Sequence, residues 1–142
     1  MRGDGPMDFL KSIAIAASGL RAQAGRMRVI SENIANADST AQRPEGDPFR
    51  RRIPTFRSAF DRALDARVVA LGKIKTDSSQ FRVKYEPGHP NADASGNVKY
   101  PNVNPLVEMT DMREAQRSYE ANVNVFGVTR RMIQRTLDIL KA

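Results

Sequence analysis

The stretch SENIANADST, residues 31–40, marks the end of a long helical pattern and decides how the chain is organised. Two asparagines, Asn33 and Asn36, lie three residues apart among small apolar residues, and the stretch contains no glycine. Asparagine is a weak helix former that can end a helix in the left-handed conformation. The stretch therefore predicts the end of a helix, and a C-cap at Asn36 is its simplest interpretation.

Apolar residues upstream of this stretch follow a strict four-three spacing. Asp8 is a suitable N-cap, and the spacing continues from it to the asparagines. Its positions are Phe9, Ile13, Ala16, Leu20, Gln23, Met27, Ile30 and Ile34. A stripe this narrow over nearly four heptads is typical of a coiled-coil seam. Residues 8–42 are therefore predicted to be an amphipathic helix with its terminating turn.

The end of the chain carries the same pattern. Asn104 and Pro105 suit the N-cap and the first position of a helix. The heptad positions after them are Met109, Met112, Gln116, Tyr119, Val123, Phe126, Arg130, Ile133, Leu137 and Leu140. The sequence therefore predicts a mostly α fold whose N- and C-terminal helices pair as a coiled coil. The polar seam residues Gln23, Gln116 and Arg130 either set the register or lie at the solvent edge.

An isolated antiparallel pair of such helices would be marginal, because most helix stability comes from tertiary packing. One interpretation is that the two helices simply pair with each other. The other is that folding is completed when further chains cover the exposed helix surface, since each buried Ile or Leu contributes about 1.5–3 kcal/mol.

Residues 43–104 have a different character and hold most of the prolines. The alternating stretch FRVKY, residues 81–85, predicts a strand. We expect residues 68–76 to be its partner, with residues 77–79 as the turn, and residues 86–97 to form a loop. Residues 58–67 are ambiguous and fit a short helix. The sequence therefore predicts four segments in chain order. A disordered leader over residues 1–7 is followed by the N-terminal helix and its turn, residues 8–42. A β-containing middle domain, residues 43–104, is followed by the C-terminal helix, residues 105–142.

The composition limits the function classes. The net charge is +7, concentrated in the middle of the chain, and the mean hydropathy is −0.51 without a long apolar run. We expect no membrane insertion, and no cleaved signal peptide. The basic stretch FRRRIPTFR, residues 49–57, could follow a nucleic-acid backbone. Because Arg50, Arg51 and Arg52 are consecutive and would alternate in a strand, a solvated or interface-forming strand is the preferred interpretation.

No set of residues in the sequence points to catalysis. The single histidine, His89, lies in a loop without a second histidine or any cysteine, so a structural role is expected. NADASG, residues 91–96, begins like an EF-hand loop, but Asn102 replaces the bidentate glutamate, and a tight turn is expected instead. We therefore predict no enzyme, no cofactor, no metal and no small-molecule substrate.

Three motifs resemble a known family. SENIANADST is similar to the S-x-N-[IL]-A-N-[AV]-x-[ST] signature of flagellar rod and hook proteins. FRRRIPTF, residues 49–56, stands where rod proteins of the FlgC type carry an aromatic, basic and apolar segment. Residues 85–126 resemble the long FlgC-type block containing P-N-V, E-M-x-x-M and R-S-Y-x-A-N.

The resemblance implies a structural subunit of the flagellar proximal rod, the drive shaft that crosses the periplasm. Its terminal helices would form coiled coils around the export channel, and the middle domain would face outward. The implied partners are other copies of the chain, other rod proteins, proteins at the junction of the MS ring and the rod, and the flagellar type III export apparatus. Another rod or hook protein, or a nucleic-acid-binding protein, remains an alternative.

The resemblance and the seams together nominate an assembly interface. Ile34, Met109, Met112 and Tyr119 would fill seams, and Asn33 and Asn36 would bond backbone groups at the helix end or on a neighbouring chain. Arg117 would reach Asp111, Glu114 or an acidic group of a neighbour. The full set is Leu20, Met27, Ile30, Ser31, Asn33, Ile34, Ala35, Asn36, Met109, Met112, Arg117, Tyr119, Asn122, Val123, Phe126, Ile133, Leu137 and Leu140.

Overall fold

Two long helices lie at the ends of the chain and six short strands lie between them. The structure, a computed structural model, describes residues 6–141, with side chains from residue 9. In chain order the elements are α1 (Pro6–Ala35), β1 (Arg52–Ile53), β2 (Phe56–Asp61), β3 (Ala66–Leu71), β4 (Lys75–Thr76), β5 (Arg82–Tyr85), β6 (Asn97–Tyr100) and α2 (Pro105–Lys141). The prediction of two terminal helices that pack against each other, with a middle of short strands between them in sequence, is confirmed.

The start of α1 differs from the prediction. Residues 1–5 of the expected leader lie outside the described residues, but Pro6 and Met7 belong to α1. The helix therefore includes Asp8 instead of being capped by it. At the other end, Asn104 is the N-cap of α2, because its side-chain oxygen accepts the Leu106 N–H at 3.1 Å.

The described residues form two compact units. Unit 1 contains α1 up to Arg26, Phe56–Gly72 and α2 from Glu114. Unit 2 contains Met27–Thr55 and Lys73–Arg113. Each unit therefore contains part of both helices.

The strands form three separate antiparallel pairs, and their pairing corrects the prediction. β2 pairs with β3, β1 with β4, and β5 with β6. The predicted partner of residues 81–85, residues 68–76, is therefore wrong. The loop of residues 86–96 joins β5 to β6, and the Glu86 N–H donates to the Gly96 carbonyl across it at 2.9 Å. Gly96 has φ 81°, which favours glycine, so this loop and not residues 77–79 makes the turn.

Residues 58–67 are part of the β2–β3 hairpin, so the helical alternative is wrong. The Asp61 carboxylate accepts the N–H groups of Ala63 and Leu64, which forms a turn that ends β2. Asp65 has φ 48°, a left-handed conformation that is unfavourable within a helix but tolerated by Asp in a turn. These local bonds outweigh the helical propensity of the surrounding alanines.

The two units have different cores. Unit 2 buries large side chains, among them Val29, Ile30, Val98 and Val103. Among the residues that the structure describes, those buried in unit 1 are small: Ala16, Ser18, Ala22, Ala115 and Thr129. Neither helix within the described residues is long and apolar enough to cross a membrane.

Candidate functional site

A buried polar cluster lies at the centre of unit 2. We call Asn33, Arg51 and Glu108, with Asp77 and Asp111 around them, the Glu108 cluster. Asn33 comes from the end of α1, Arg51 from the residue before β1, and Glu108 from the first turns of α2. The Glu108 side chain is 1% exposed. One of its carboxylate oxygens accepts the Asn33 amide N–H at 3.1 Å, and the other accepts the Arg51 Nε–H.

Arg51 is the cation of this cluster. Its guanidinium also lies 3.6 Å from the Asp77 carboxylate and 3.5 Å from that of Asp111. Burial alone would lower the pKa of Arg51, but the hydrogen bond and charge of Glu108, with the charges of Asp111 and Asp77, raise it above its usual value. Arg51 therefore stays charged. The buried Glu108 carboxylate forms an ion pair with it, and the second carboxylate oxygen accepts a hydrogen bond from Asn33.

The neighbouring arginines are bound within unit 2 as well. The Arg50 guanidinium lies over the Phe81 ring at 4.1 Å and donates to the Asp77 and Ser79 carbonyls. The Arg52 side chain pairs with Glu32 at 3.1 Å. The consecutive arginines do point in different directions, as predicted. Each has partners in its own chain, which argues against a basic face that follows a nucleic-acid backbone.

Asn102 links the backbone of Arg51 to the loop of residues 77–79. Its side-chain oxygen accepts the Arg51 backbone N–H at 2.8 Å, and its amide donates to the carbonyls of Asp77 and Ser79. These bonds tether residues 77–79 as a loop. The expected hairpin turn at this position is therefore replaced by a segment held against β1.

The SENIANADST stretch ends α1 with two different uses of asparagine. Asn33 brackets the Arg52 backbone, donating to its carbonyl at 2.8 Å and accepting its N–H at 2.9 Å. Asn36 instead bonds locally: both its backbone N–H and its side chain donate to the Glu32 carbonyl. The polar groups of Asn33 and Asn36 therefore have partners inside the chain, and a role of these residues in an assembly interface remains a prediction.

In unit 1 the two helices run antiparallel and in close contact. Arg26 pairs with Glu114 at 3.4 Å. A Cβ added to Gly19 would lie 3.0 Å from the Asn122 amide nitrogen. Such a close approach requires small or short side chains, since protein interiors are densely packed.

The buried stripe of α2 differs from the predicted seam at one of the two positions in each heptad, where the buried residue is the one just before the predicted residue. Glu108, Ala115, Asn122 and Thr129 are buried or half-buried, whereas Met109, Gln116, Val123 and Arg130 are exposed. The shared positions Met112, Tyr119, Phe126 and Ile133 are half-buried, as the heptad predicts. Gln116 and Arg130 therefore lie at the solvent edge.

The buried face of α1 is wider than the predicted seam. Ser18, Ala22, Val29 and Asn33 are buried in addition to seam positions such as Ala16 and Ile30. In unit 1 one of these extra positions meets the β2–β3 hairpin, where the Ser18 hydroxyl accepts the Val69 N–H at 3.3 Å. The seam is wider than two positions per heptad because α1 packs against strands as well as a helix.

Other nominated residues fall into two groups. Ile30 is buried, and Leu20, Met27 and Ile34 are half-buried. The exposed residues are Ser31, Ala35, Met109, Arg117, Val123, Leu137 and Leu140. Among the acidic groups expected for Arg117, Asp111 pairs with Arg51 and Glu114 with Arg26. Whether these residues form an assembly interface remains a prediction.

The loop residues have structural roles. The Asp93 carboxylate accepts the N–H groups of Ser95 and Asn97, so the expected tight turn in NADASG is confirmed. His89 accepts the Asn91 backbone N–H at its Nδ1 atom.

Sequence reasoning missed the Glu108 cluster, although its members were in view. Glu108 belongs to the E-M-x-x-M motif, and Arg51 lies in the basic stretch. The available signal was an acidic residue, Glu108, directly before the heptad position Met109, together with the consecutive arginines of the basic stretch as candidate partners. Spacing alone does not say which arginine reaches it.

Two stretches of the chain match sequence models of flagellar protein families. Residues 13–41 match the model described as flagella basal body rod protein. Residues 94–139 match the model of the C-terminal region of flagellar basal body rod FlgEFG proteins. These matches, which include the end of α1 and most of α2, define the class: axial proteins of the flagellar basal body.

Curated relatives narrow the class. The FlgC basal-body rod protein of Agrobacterium fabrum is 50% identical over 137 residues, covering 96% of this chain and 99% of the relative. Those of Bacillus subtilis and Aquifex aeolicus are 38% and 36% identical, with 95% of this chain covered in each and 100% and 99% of the relatives. The chain belongs to the FlgC family of flagellar basal-body rod proteins. It is a structural subunit of that rod.

Proposed function

We propose that this subunit assembles into the rod through exposed apolar faces of its terminal helices, with no catalytic step. One face on α2 supports this proposal most directly. Val125, Val128, Met132 and Ile139, which we call the outer stripe, are 47–75% exposed. Their separations of three, four and seven residues place them on one side of the helix.

The outer stripe lies on a different side of α2 from the half-buried residues of its seam. At 100° per residue, Val128 and Met132 lie about 160° and about 120° around the helix from Phe126, which is half-buried. A solvated helix face normally carries polar residues. An apolar line at heptad spacing on this face suits a helix of a neighbouring subunit.

The C-terminal end of α2 supports the same proposal. The pairs Arg26–Glu114 and Gly19–Asn122 place Pro6 opposite residue 134 or 135 in unit 1. The last six described residues of α2 therefore extend about 9 Å past the described start of α1. Leu137 and Leu140, 46% and 76% exposed, lie in this extension. They are suited to contact other copies or other rod proteins.

The remaining parts of the proposal come from the family. The partners would be other copies of the chain, other rod proteins, proteins at the MS-ring junction and the type III export apparatus. The helices would form the torque-transmitting wall of the export channel, with residues 43–104 facing outward across the periplasm. Export would proceed without a cleaved signal peptide. Exposed residues of the SENIANADST stretch, Ser31 and Ala35, would contact neighbouring subunits.

Complementation of a motile bacterium that lacks its own FlgC-family subunit tests the outer stripe. Met132→Glu places a carboxylate where we propose an apolar contact, and burying an unpaired charge is strongly unfavourable. Gln116→Glu is the control, since it adds the same charge to an exposed position on a different side of α2. We expect Met132→Glu to abolish swimming and incorporation into purified basal bodies, and Gln116→Glu to preserve both.

Both purified variants should have the helical circular dichroism of the unchanged protein, because residue 132 is exposed in the single chain. Normal swimming of the Met132→Glu strain would exclude the outer stripe from the interface. Equal loss of swimming in both variants would show that α2 tolerates no added charge, and would remove support for this stripe in particular.

A further inference from the structure

The β5–β6 hairpin of unit 2 has one open edge. The hydrogen bond from the Glu86 N–H to the Gly96 carbonyl fixes which residues of β5 face β6. Because every second residue of an antiparallel strand faces its partner, the backbone groups of Val83 and Tyr85 point away from β6. Among the described residues β5 pairs with no further strand. These backbone groups are therefore free to pair with a strand from another chain.

The edge is accessible as well as unpaired. All four residues of β5 are exposed. The side chains of Val83 and Tyr85 lie on one face of the hairpin and are 58% and 72% exposed. An exposed strand edge beside apolar side chains is the feature to which extended peptides add as a further strand.

An open groove lies beside this edge. The groove, which we call the Arg50 groove, is lined by Asp47, Arg50, Ser79, Phe81, Val83 and Lys99, among others. It shares Val83 with the exposed face of β5, so a strand added to β5 would place side chains near the groove. The groove combines an aromatic ring and an aliphatic side chain with cations, which suits a peptide that carries both apolar and charged side chains.

Arg50 brings to the groove a positive charge that no carboxylate pairs with among the described residues. Its guanidinium lies over the Phe81 ring at 4.1 Å, and its Nη1 atom donates to the carbonyls of Asp77 and Ser79. The Nε–H and the Nη2 amino group have no hydrogen-bond partner within the described part of the chain. Together they form a side of the guanidinium that matches a carboxylate. Because the group is already held in place, binding would order little more of it.

The charges around the edge select the kind of partner. β5 itself carries Arg82 and Lys84, and Asp47 of the groove is paired with Lys99 at 3.5 Å. Pairing of β5 with β5 of a second copy would bring these like charges together, and the whole chain has a net charge of +7. A strand with acidic side chains would instead be attracted to the same surface.

We propose that the β5 edge and the Arg50 groove bind an extended, acidic segment of another protein, which adds to β5 as a strand. Backbone hydrogen bonds to Val83 and Tyr85 align the segment, and Arg50 pairs with one of its carboxylates. This gives Arg50, within the basic stretch, a role that differs from those of Arg51 and Arg52. The site uses no residue of either helix, so it does not depend on the outer stripe.

Titration of the full-length chain with synthetic peptides tests the site. The probe is a peptide of about eight residues, the length of a typical strand, with alternating valine and glutamate. Two further peptides replace the glutamates by glutamine or by lysine. Binding is followed by NMR through the backbone amide signals of Val83 and Tyr85. We expect the glutamate peptide to bind at least about tenfold more tightly than the glutamine peptide, and the lysine peptide to leave the signals unshifted.

Two substitutions at residue 83 separate backbone pairing from side-chain contact. Val83→Pro removes one outward N–H but no bond to β6, because proline is tolerated on an edge strand where its nitrogen faces solvent. Val83→Thr keeps the N–H. Measured at Tyr85, binding of the glutamate peptide should weaken at least about tenfold in Val83→Pro and less than about threefold in Val83→Thr. Unchanged amide signals of β6 in the unbound variants would verify that the hairpin is intact.

A substitution at Arg50 tests the carboxylate contact. Arg50→Gln removes the charge, while the loop of residues 77–79 stays tethered because Asn102 donates to the same two carbonyls. Arg113→Gln removes the same charge from an exposed position of α2 and is the control. We expect Arg50→Gln to bind the glutamate and glutamine peptides within about twofold of each other, and Arg113→Gln to keep the preference for glutamate.

Four results would overturn the proposal. Unshifted signals with every peptide at millimolar concentration would exclude strand addition at β5. Equal binding of the three peptides would exclude an acidic partner. Displacement of the glutamate peptide by a lower concentration of a single-stranded oligonucleotide would assign the surface to nucleic acid. Self-association of the chain that Val83→Pro abolishes would assign the edge to a second copy.

Discussion

Asn33 at the end of α1 donates its amide N–H to the Glu108 carboxylate of α2 at 3.1 Å, and both side chains are almost completely buried. The same amide group also pairs with the backbone N–H and carbonyl of Arg52. One short side chain therefore connects two helices and a strand. An apolar side chain of similar volume could make none of these bonds.

Asn33→Leu should lower the free energy of unfolding by about 3 kcal/mol, because it removes the partners of the Arg52 backbone N–H and carbonyl and of one oxygen of the buried Glu108 carboxylate. Urea denaturation followed by circular dichroism would measure the change. Asn124→Leu, at an exposed position of α2, is the control and should change stability by less than about 0.5 kcal/mol. Equal effects of the two substitutions would contradict the assigned role of Asn33.

Gly19 and Gly127 are both helical glycines, but leucine should act in opposite directions at the two sites. A Cβ at Gly19 would meet the Asn122 amide at 3.0 Å, whereas at Gly127 the nearest atom, the Arg131 Nη1, is 4.0 Å away. We expect Gly19→Leu to destabilise by about 1–3 kcal/mol through overpacking. Gly127→Leu should stabilise by about 0.5–1 kcal/mol through better helix propensity. Thermal unfolding would distinguish the two, and a stabilising Gly19→Leu would contradict the close helix contact.

Gln23→Met should stabilise unit 1. The substitution keeps the length of the side chain and removes a buried oxygen that lacks a partner, which should raise the unfolding free energy by about 1 kcal/mol. Gln116→Met is the matched control at an exposed position and should have little effect. Hydrogen exchange in residues 12–22 provides the local measurement, and faster exchange in Gln23→Met would show that the glutamine has a partner in solution.

Stability should fall in acid partly through Asp77. The Ser79 backbone N–H, together with the Ser79 side chain and the Arg51 charge, lowers the pKa of the Asp77 carboxyl. A lowered pKa in the folded state stabilises the fold above the ordinary carboxyl value of about 4, and this contribution is lost as the pH falls from there through the folded-state value.

Urea midpoints measured from about pH 6 to about pH 3 would show the effect of Asp77. The unchanged protein should lose stability more steeply at the acidic end than Asp77→Asn does. Parallel curves for the two proteins would mean that Asp77 titrates alike in the folded and unfolded states.

The sequence was sufficient for features that depend on local pattern. Heptad spacing located both helices, Asn104 and Pro105 marked the start of α2, and the three motifs identified the family. The loop around Asp93 was also predictable, since its bonds are made within a few residues. Strand pairing was predicted less well. Residues 81–85 lie between two candidate partner strands, residues 68–76 before them and residues 97–100 after them, and the register of a short, exposed strand is weakly specified by its sequence.

What the sequence by itself determined is the set of elements and the class of protein, because periodicity, caps and turn residues act over a few positions. Only the tertiary structure decided which positions of α2 are buried. The close approach at Gly19 favours Asn122 over Val123, and the buried Glu108 is paired with Arg51 and not with its neighbours in the basic stretch. Such choices depend on distances between segments more than fifty residues apart, and no local pattern encodes those distances.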